Sequence, residues 1–275
     1  MSRRTISLAG LVLLLVPASL AAQEDDWRSV STSRSYRGEE ELRVDVRFGA
    51  GRLDIKPGPA GSLYKATLHY DPRAFRPVTE YHEGRLRVGL DTERGVSVRT
   101  NRAGEIALAL GPDVPITLDL EFGAAEADVE LGGLRIRRME VSTGASETSL
   151  RFSRPNPEPL SVIRIEVGAA AFRAEGLGNA NAERLSVDGG LGEVVLDFSG
   201  EWQRDMTADI DMGLGALTLR VPEGIGVHVA KDGLLAAFDS QGLIKRGDGY
   251  YSPDWDRASR RLTIRVDAAL GSIDL

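Results

Sequence analysis

The chain alternates apolar and polar residues over most of its length, and small residues interrupt the alternation at regular intervals. Around Gly213, Ile210 and Met212 alternate with aspartates, Leu214 follows, and the apolar positions resume at Leu217. A period of two is typical of a β-strand that buries one face. The step from Leu214 to Leu217 is odd, so the parity shifts by one residue beside the glycine. We therefore predict two strands joined by a small-residue bend, because a bulge or corner absorbs such a shift.

This strand–bend–strand unit recurs along the chain. From Gly123 to Gly213 the bend glycines are 21 to 24 residues apart. A period in the twenties indicates stacked rungs, and so short a unit cannot bury its apolar face without a neighbour. The predicted fold is all-β, a stack of repeats similar to a parallel β-helix solenoid. The residues expected to form structural corners are Gly49, Gly123, Gly144, Gly168, Gly190 and Gly213.

Residues 62–110 depart from the repeat and predict an N-terminal β-hairpin region. Residues 63–70 read as a strand, and the runs on either side of Glu83 and Gly84 read as a hairpin. The chain then divides into an N-terminal β module, residues 23–120, and a repeat-built domain, residues 121–275. Residues 154–159 predict a stiff turn between rungs. Because the last repeat ends the chain, we expect a terminal rung covered by residues 250–255 or by the hairpin region.

The first 22 residues predict a signal peptide. Arg3 and Arg4 give a basic start, residues 6–16 form an apolar run, and small residues precede Gln23. The run is shorter than the roughly 20 residues of a spanning helix; an uncleaved anchor is the alternative. No comparable apolar segment follows. We therefore expect an exported protein, in the periplasm, the outer envelope or the extracellular space, without an integral membrane segment after cleavage.

The composition excludes some kinds of site and disfavours some kinds of partner. The 275 residues include no Cys, which excludes a disulfide framework and a thiolate metal site. The net charge is −7, and removal of the two signal arginines makes the mature chain more negative. Such a surface repels nucleic acid and anionic lipid, so neither is an expected partner.

The closing segment, residues 264–275, resembles the final strand pair of toast-rack proteins. Residues 221–227, 249–253 and 48–53 fit the same pattern. That group includes the C-terminal domains of cell-wall-active-antibiotic response proteins and adhesin-like domains of unknown function. The resemblance covers most of residues 40–275. It implies a stacked β architecture and, in some members, sensing or damping of envelope stress. Those members often carry transmembrane helices, which this sequence lacks, so the resemblance gives little support to regulation of a kinase.

Several acidic residues occupy one position of the repeat, two places before the bend residue. In stacked rungs they would form a ladder, either a strip for a divalent cation or cationic partner or an ordinary solvated face. The three histidines, His69, His82 and His228, have no metal-ligand spacing, although His69 and His82 are candidates to pair across a hairpin. The acidic residues are Glu121, Glu166, Asp188, Asp211 and Asp267.

We predict no catalytic residue, cofactor or metal. The two Gly-Leu-Gly segments at residues 190–192 and 213–215 lead into strands rather than helices, so they are bends and not dinucleotide loops. Tyr250, Tyr251 and Trp255 form the densest aromatic group and are the candidate contact for a partner. The predicted function is that of an exported, non-catalytic envelope protein that binds or scaffolds an unknown envelope protein or glycan. The alternatives are a sensor or regulator of envelope stress and a carbohydrate-active β-helix enzyme.

Overall fold

Strands make up almost all of the regular structure. The computed structural model describes residues 27–92, 104–232, 235–238 and 242–274; the predicted signal peptide lies outside these residues. No helix among them is long and apolar enough to cross a membrane. The strands are β1 (Arg28–Ser35), β2 (Leu42–Pro57), β3 (Ser62–Tyr70), β4 (Phe75–His82), β5 (Arg85–Thr92), β6 (Gly104–Leu110), β7 (Pro115–Glu130), β8 (Arg135–Thr143), β9 (Glu147–Arg151), β10 (Ile163–Glu175), β11 (Arg184–Asp197), β12 (Met206–Arg220), β13 (Gly226–Asp232), β14 (Leu235–Phe238), β15 (Ile244–Arg246), β16 (Gly249–Tyr251) and β17 (Arg261–Asp274).

The long strands stack in parallel, and equivalent residues of successive repeats lie side by side. Ile165 of β10 pairs with Val187 of β11, which pairs with Ile210 of β12, which pairs with Val266 of β17. All four side chains are buried. Each inward-facing position of the repeat therefore forms a column of stacked apolar side chains, one from each rung, and these columns form the core. The prediction of an all-β stack of repeats is confirmed.

The order of rungs differs from the order of the chain at both ends. β2 lies between β7 on one edge and the β5 and β6 pair on the other. At the opposite end, β17 lies between β12 and the β13 and β14 pair. The expectation that the last repeat forms the terminal rung is therefore wrong, because the chain first builds the rung beyond it and then returns to fill the gap. Residue 120, the predicted module boundary, lies within β7, which pairs with β2 along both of its halves.

Short antiparallel strands cover the two ends of the stack. β4 pairs with β5 through a turn in which Glu83 and Gly84 both have positive φ, as the hairpin prediction requires. β3 covers β6, and β1 covers β3. At the other end β16 covers β13, and β15 pairs with β16. These strands occupy hydrogen-bonding edges that would otherwise be open to other chains.

The parity shift is real, but it lies earlier than the alternation suggested. In β7 the inward residues are Phe122, Ala125 and Ala127, so two consecutive residues point outward at the bend. In β12 Met212 is buried whereas Leu214 is 46% exposed. The shift therefore directly follows Met212, and the leucine after the bend glycine belongs to the outer surface.

The turns that close the rungs contain a buried asparagine that the sequence did not reveal. Asn156 lies in the predicted stiff turn and is fully buried. Its Nδ2 donates to the carbonyls of Ile136 (2.8 Å) and Ala180 (3.0 Å), and its Oδ1 accepts from the backbone amides of Ile136 and Glu158, both at 3.1 Å. One side chain thus joins its own turn to the start of β8 and to the next turn of the stack.

Candidate functional site

The six predicted corner glycines lie at the bends. At five of them the neighbouring rung is too close to leave room for a Cβ atom. A Cβ on Gly213 would lie 2.6 Å from the carbonyl oxygen of Gly190, and one on Gly123 would lie 2.4 Å from that of Gly49. Gly144, Gly168 and Gly190 meet the preceding rung in the same way, at 2.7 to 3.0 Å. At Gly49 itself the nearest atom is 3.6 Å away. A positive φ, the backbone conformation that favours glycine, occurs instead two residues later, for example at Gly215 (φ 151°).

Replacement of Gly213 by Val should lower the free energy of unfolding by roughly 1–3 kcal/mol, because the β-branched side chain must displace the backbone of the neighbouring rung. Thr218→Val is the control. Thr218 is half-buried on the outer side of the same strand, and its replacement should change stability by no more than about 0.5 kcal/mol. Chemical denaturation of both variants measures the difference. Equal midpoints would mean that the bend tolerates a side chain.

Four of the five acidic residues that share one position of the repeat form one column on the outer surface. Glu166 pairs in register with Asp188, Asp188 with Asp211, and Asp211 with Asp267, while Ser142 separates Glu121 from the others. Partial burial raises the pKa of Asp211, and the charges of Asp188 and Asp267 raise it further. Within the described residues, no group of three or more acidic or histidine side chains is arranged to hold a metal ion. None of these four carboxylates has an ion-pair partner in the part of the chain that the structure describes, so the column is a strip of unneutralised negative charge.

A column of exposed leucines lies beside this acidic column. Leu191 is 51% and Leu214 is 46% exposed, and they are direct neighbours on adjacent rungs. Ala169 precedes Leu191 in the same register, and the Cα of Leu270 follows Leu214. Sequence reasoning missed this column, because it counted Leu214 among the alternating apolar positions rather than in the bend.

The aromatic group predicted as a partner contact lies at one end of the stack. Tyr251 pairs with His228 across β16 and β13, and their rings stack at 4.4 Å. Trp255 meets the Tyr251 ring edge-on at 5.4 Å, and the Arg261 guanidinium lies 5.5 Å from the Trp255 ring. Tyr250 packs against the core. Burial lowers the pKa of His228, as does the nearby charge of Arg265. The cluster fastens the end hairpin to the stack, and its role in partner binding stays a prediction.

A model of the N-terminal domain of toast_rack, DUF2154, matches residues 21–174 and 156–220. These matches span well over half of the chain. The chain belongs to the toast-rack family. The sequence-based identification is therefore confirmed.

Several solved structures resemble this toast-rack chain. A "putative cell adhesion protein" from Clostridium sporogenes is 20% identical, with a TM-score of 0.49 over 90% of this chain and 98% of its own. A "putative adhesin" from Parabacteroides distasonis is 8% identical (TM-score 0.38, 91% and 98%), and another from Bacteroides fragilis is 11% identical (TM-score 0.34, 90% and 96%). A comparison with curated proteins gives no match. The identities are too low to transfer a function.

The histidines of this toast-rack chain do not form the pair considered from the sequence. His69 of β3 bonds through Nδ1 to the hydroxyl of Ser29 on β1, at 2.9 Å. His82 ends β4 and faces Arg85 on β5. The two residues belong to different strand pairs, so the hairpin that would have joined them does not exist.

Proposed function

We propose that this protein is an exported, non-catalytic member of the cell envelope that acts as a binding or scaffolding module of the adhesin type. The observation that carries the proposal is the alignment of exposed side chains into straight columns, such as Glu166, Asp188 and Asp211. Rungs in a β stack repeat about every 4.8 Å. A partner laid along the columns meets the same chemistry on every rung.

A rigid stack suits this task because its surface is already ordered before binding. The columns are held by strands whose other face packs in a continuous buried core. Binding therefore costs little free energy for ordering the surface of this protein. Stacked-repeat proteins use extended surfaces of this kind for binding. Export is supported by the basic start and apolar run of residues 1–22.

The proposal is tested by locating the protein and then mapping its contacts in place. Mass spectrometry of envelope fractions should show a mature N-terminus between Ala22 and Glu24. A photo-crosslinking residue at position 188 or 193, on the columned face, should capture an envelope component. The same residue at position 223, in the turn between β12 and β13, is the control and should capture much less.

Three results would contradict the proposal. One is an intact Met1 start on protein that stays in the cytoplasm. Another is equal crosslinking at positions 188, 193 and 223. The third is release of reducing sugar ends from an envelope glycan by the purified protein, abolished by Asp211→Asn, since this would identify an enzyme.

A further inference from the structure

The exposed column of Ala169, Leu191 and Leu214, here called the leucine ridge, follows the outside of the bend across three rungs. About half the surface of each leucine is open, whereas most large apolar residues of the described chain are buried. Neither leucine occupies a core position. The inward positions on either side of the bend are filled by Met212 and Leu217 in β12, and by Gly189 and Val194 in β11. Folding therefore does not account for leucines on the ridge.

Carboxylates flank the leucine ridge on both sides. On one side, three residues before the ridge, lies the column of Glu166, Asp188 and Asp211. On the other side, two residues beyond the ridge position of their own rungs, lie Glu147 in β9 and Glu193 in β11. All five side chains are exposed, and none has an ion-pair partner among the described residues. Elsewhere on the stack carboxylates do pair with arginines, as Asp209 does with Arg265 at 2.9 Å. The negative charge along the ridge is thus left for another molecule to neutralise.

We propose that the leucine ridge and its acidic flanks form a docking surface for a basic amphipathic helix of a partner protein. The proposal rests on the binding function given above and specifies its partner. The helix lies along the stack axis with its apolar stripe on the leucines, and its Lys or Arg side chains reach the carboxylates on both sides of the ridge.

The spacing of the ridge favours a helix over an extended segment. Successive ridge residues are about one rung, roughly 4.8 Å, apart. A helix presents one face every turn of about 5.4 Å, whereas a strand repeats a face every ~6.6 Å or more. The flanks lie two or three residues from the ridge along the strand, roughly 7–10 Å at 3.3 Å per residue. A helix about 10–12 Å wide with its side chains can reach both flanks.

The same charges disfavour other occupants of the ridge. A second copy of this chain docked by its own ridge would bring carboxylates against carboxylates, because they flank the ridge on both sides, and like charges facing each other across an interface weaken it. An anionic membrane is repelled in the same way. A basic helix is the occupant that uses both the leucines and the carboxylates.

The proposal is tested with the mature protein and a fluorescein-labelled 18-residue peptide of Leu and Lys, with leucines spaced for one helix face. Fluorescence anisotropy should show saturable binding that weakens with salt.

The double variant Leu191→Ser/Leu214→Ser should weaken binding at least about tenfold. Val30→Ser/Ile244→Ser is the matched control, since these exposed residues lie away from the ridge, and it should bind within about twofold of the natural protein. Asp188→Asn/Asp211→Asn should weaken binding and flatten its salt dependence.

Thermal melting of each variant verifies that the exposed substitutions leave the fold intact. The proposal is overturned if the basic peptide does not bind, or if it binds the Leu191→Ser/Leu214→Ser and control variants equally. It is also overturned if a peptide with Glu in place of Lys binds as well. Leucine-dependent binding to phosphatidylcholine vesicles without peptide binding would instead identify a membrane contact. Failure of the peptide together with crosslinking at position 188 or 193 would remove this inference and leave the proposed function standing.

Discussion

Deletion of residues 262–275 should abolish the folded state. Of the candidate surfaces it removes only Asp267 and Leu270, which lie one rung beyond Asp211 and Leu214. The deletion removes most of β17, which is an interior rung. Leu262, Ile264 and Val266 are buried, and burial of each such side chain is worth about 1.5–3 kcal/mol. Their combined loss is comparable with the total stability of a typical domain, about 5–15 kcal/mol. The deletion also leaves β12 and β13 without the strand that joins them. The truncated protein should aggregate and show no cooperative unfolding transition.

Deletion of residues 27–35 is the matched control at the other end of the chain. It removes β1, which is an edge strand that pairs with β3 alone among the described strands and is exposed along almost its whole length. This truncation should stay soluble and unfold cooperatively, with a modest decrease in melting temperature. Size-exclusion chromatography and circular dichroism distinguish the two cases. A soluble, monomeric 262–275 deletion with an unchanged melting temperature would show that β17 is dispensable and that the described rung order is wrong.

Alternation and spacing predicted the local structure of each rung and the contacts between equivalent rungs. The column of Asp188, Asp211 and Asp267 could be predicted because each residue holds the same place relative to its bend, and parallel stacking aligns equal places. The pattern encodes which face a residue occupies. It does not encode which rung lies next to it. β12 and β13 both pair with β17 in parallel, and nothing in the alternation says that β17 lies between them, so its interior position could not be derived.

The candidate surface was predictable only in part, for a related reason. An apolar residue beside a glycine fits an inward or an outward position, and a one-residue difference in the shift decides between them. The exposure of Leu214 therefore required the three-dimensional bend. The acidic column needed no such information, because its residues precede the bend and retain the parity of the first strand.

Replacement of Asn156 by Ala should produce the largest loss of stability among single substitutions in the turns. The side chain makes four hydrogen bonds to backbone groups of Ile136, Glu158 and Ala180. Alanine leaves these groups without that partner, and a buried unsatisfied group costs about 1–3 kcal/mol. Some relaxation of the turn recovers part of this cost, so we expect a decrease of roughly 3–5 kcal/mol in the free energy of unfolding. This role could not be predicted from the sequence, because an asparagine between prolines is typical of any exposed turn.

Asn179→Ala is the matched control for this prediction, because Asn179 lies in the next turn of the stack and is only half-buried. Its Nδ2 donates to the carbonyl of Phe152 and its Oδ1 accepts from the amide of Glu201, both at 2.8 Å. Water can replace these partners more readily, so the loss should be about 1–2 kcal/mol. Urea denaturation of both variants should give a clearly lower midpoint for Asn156→Ala, with similar denaturant dependence. If the two midpoints coincide, the buried side chain is not what joins the turns, and the backbone bond from the Asn156 amide to the Asn179 carbonyl, 2.8 Å long, suffices to hold them together.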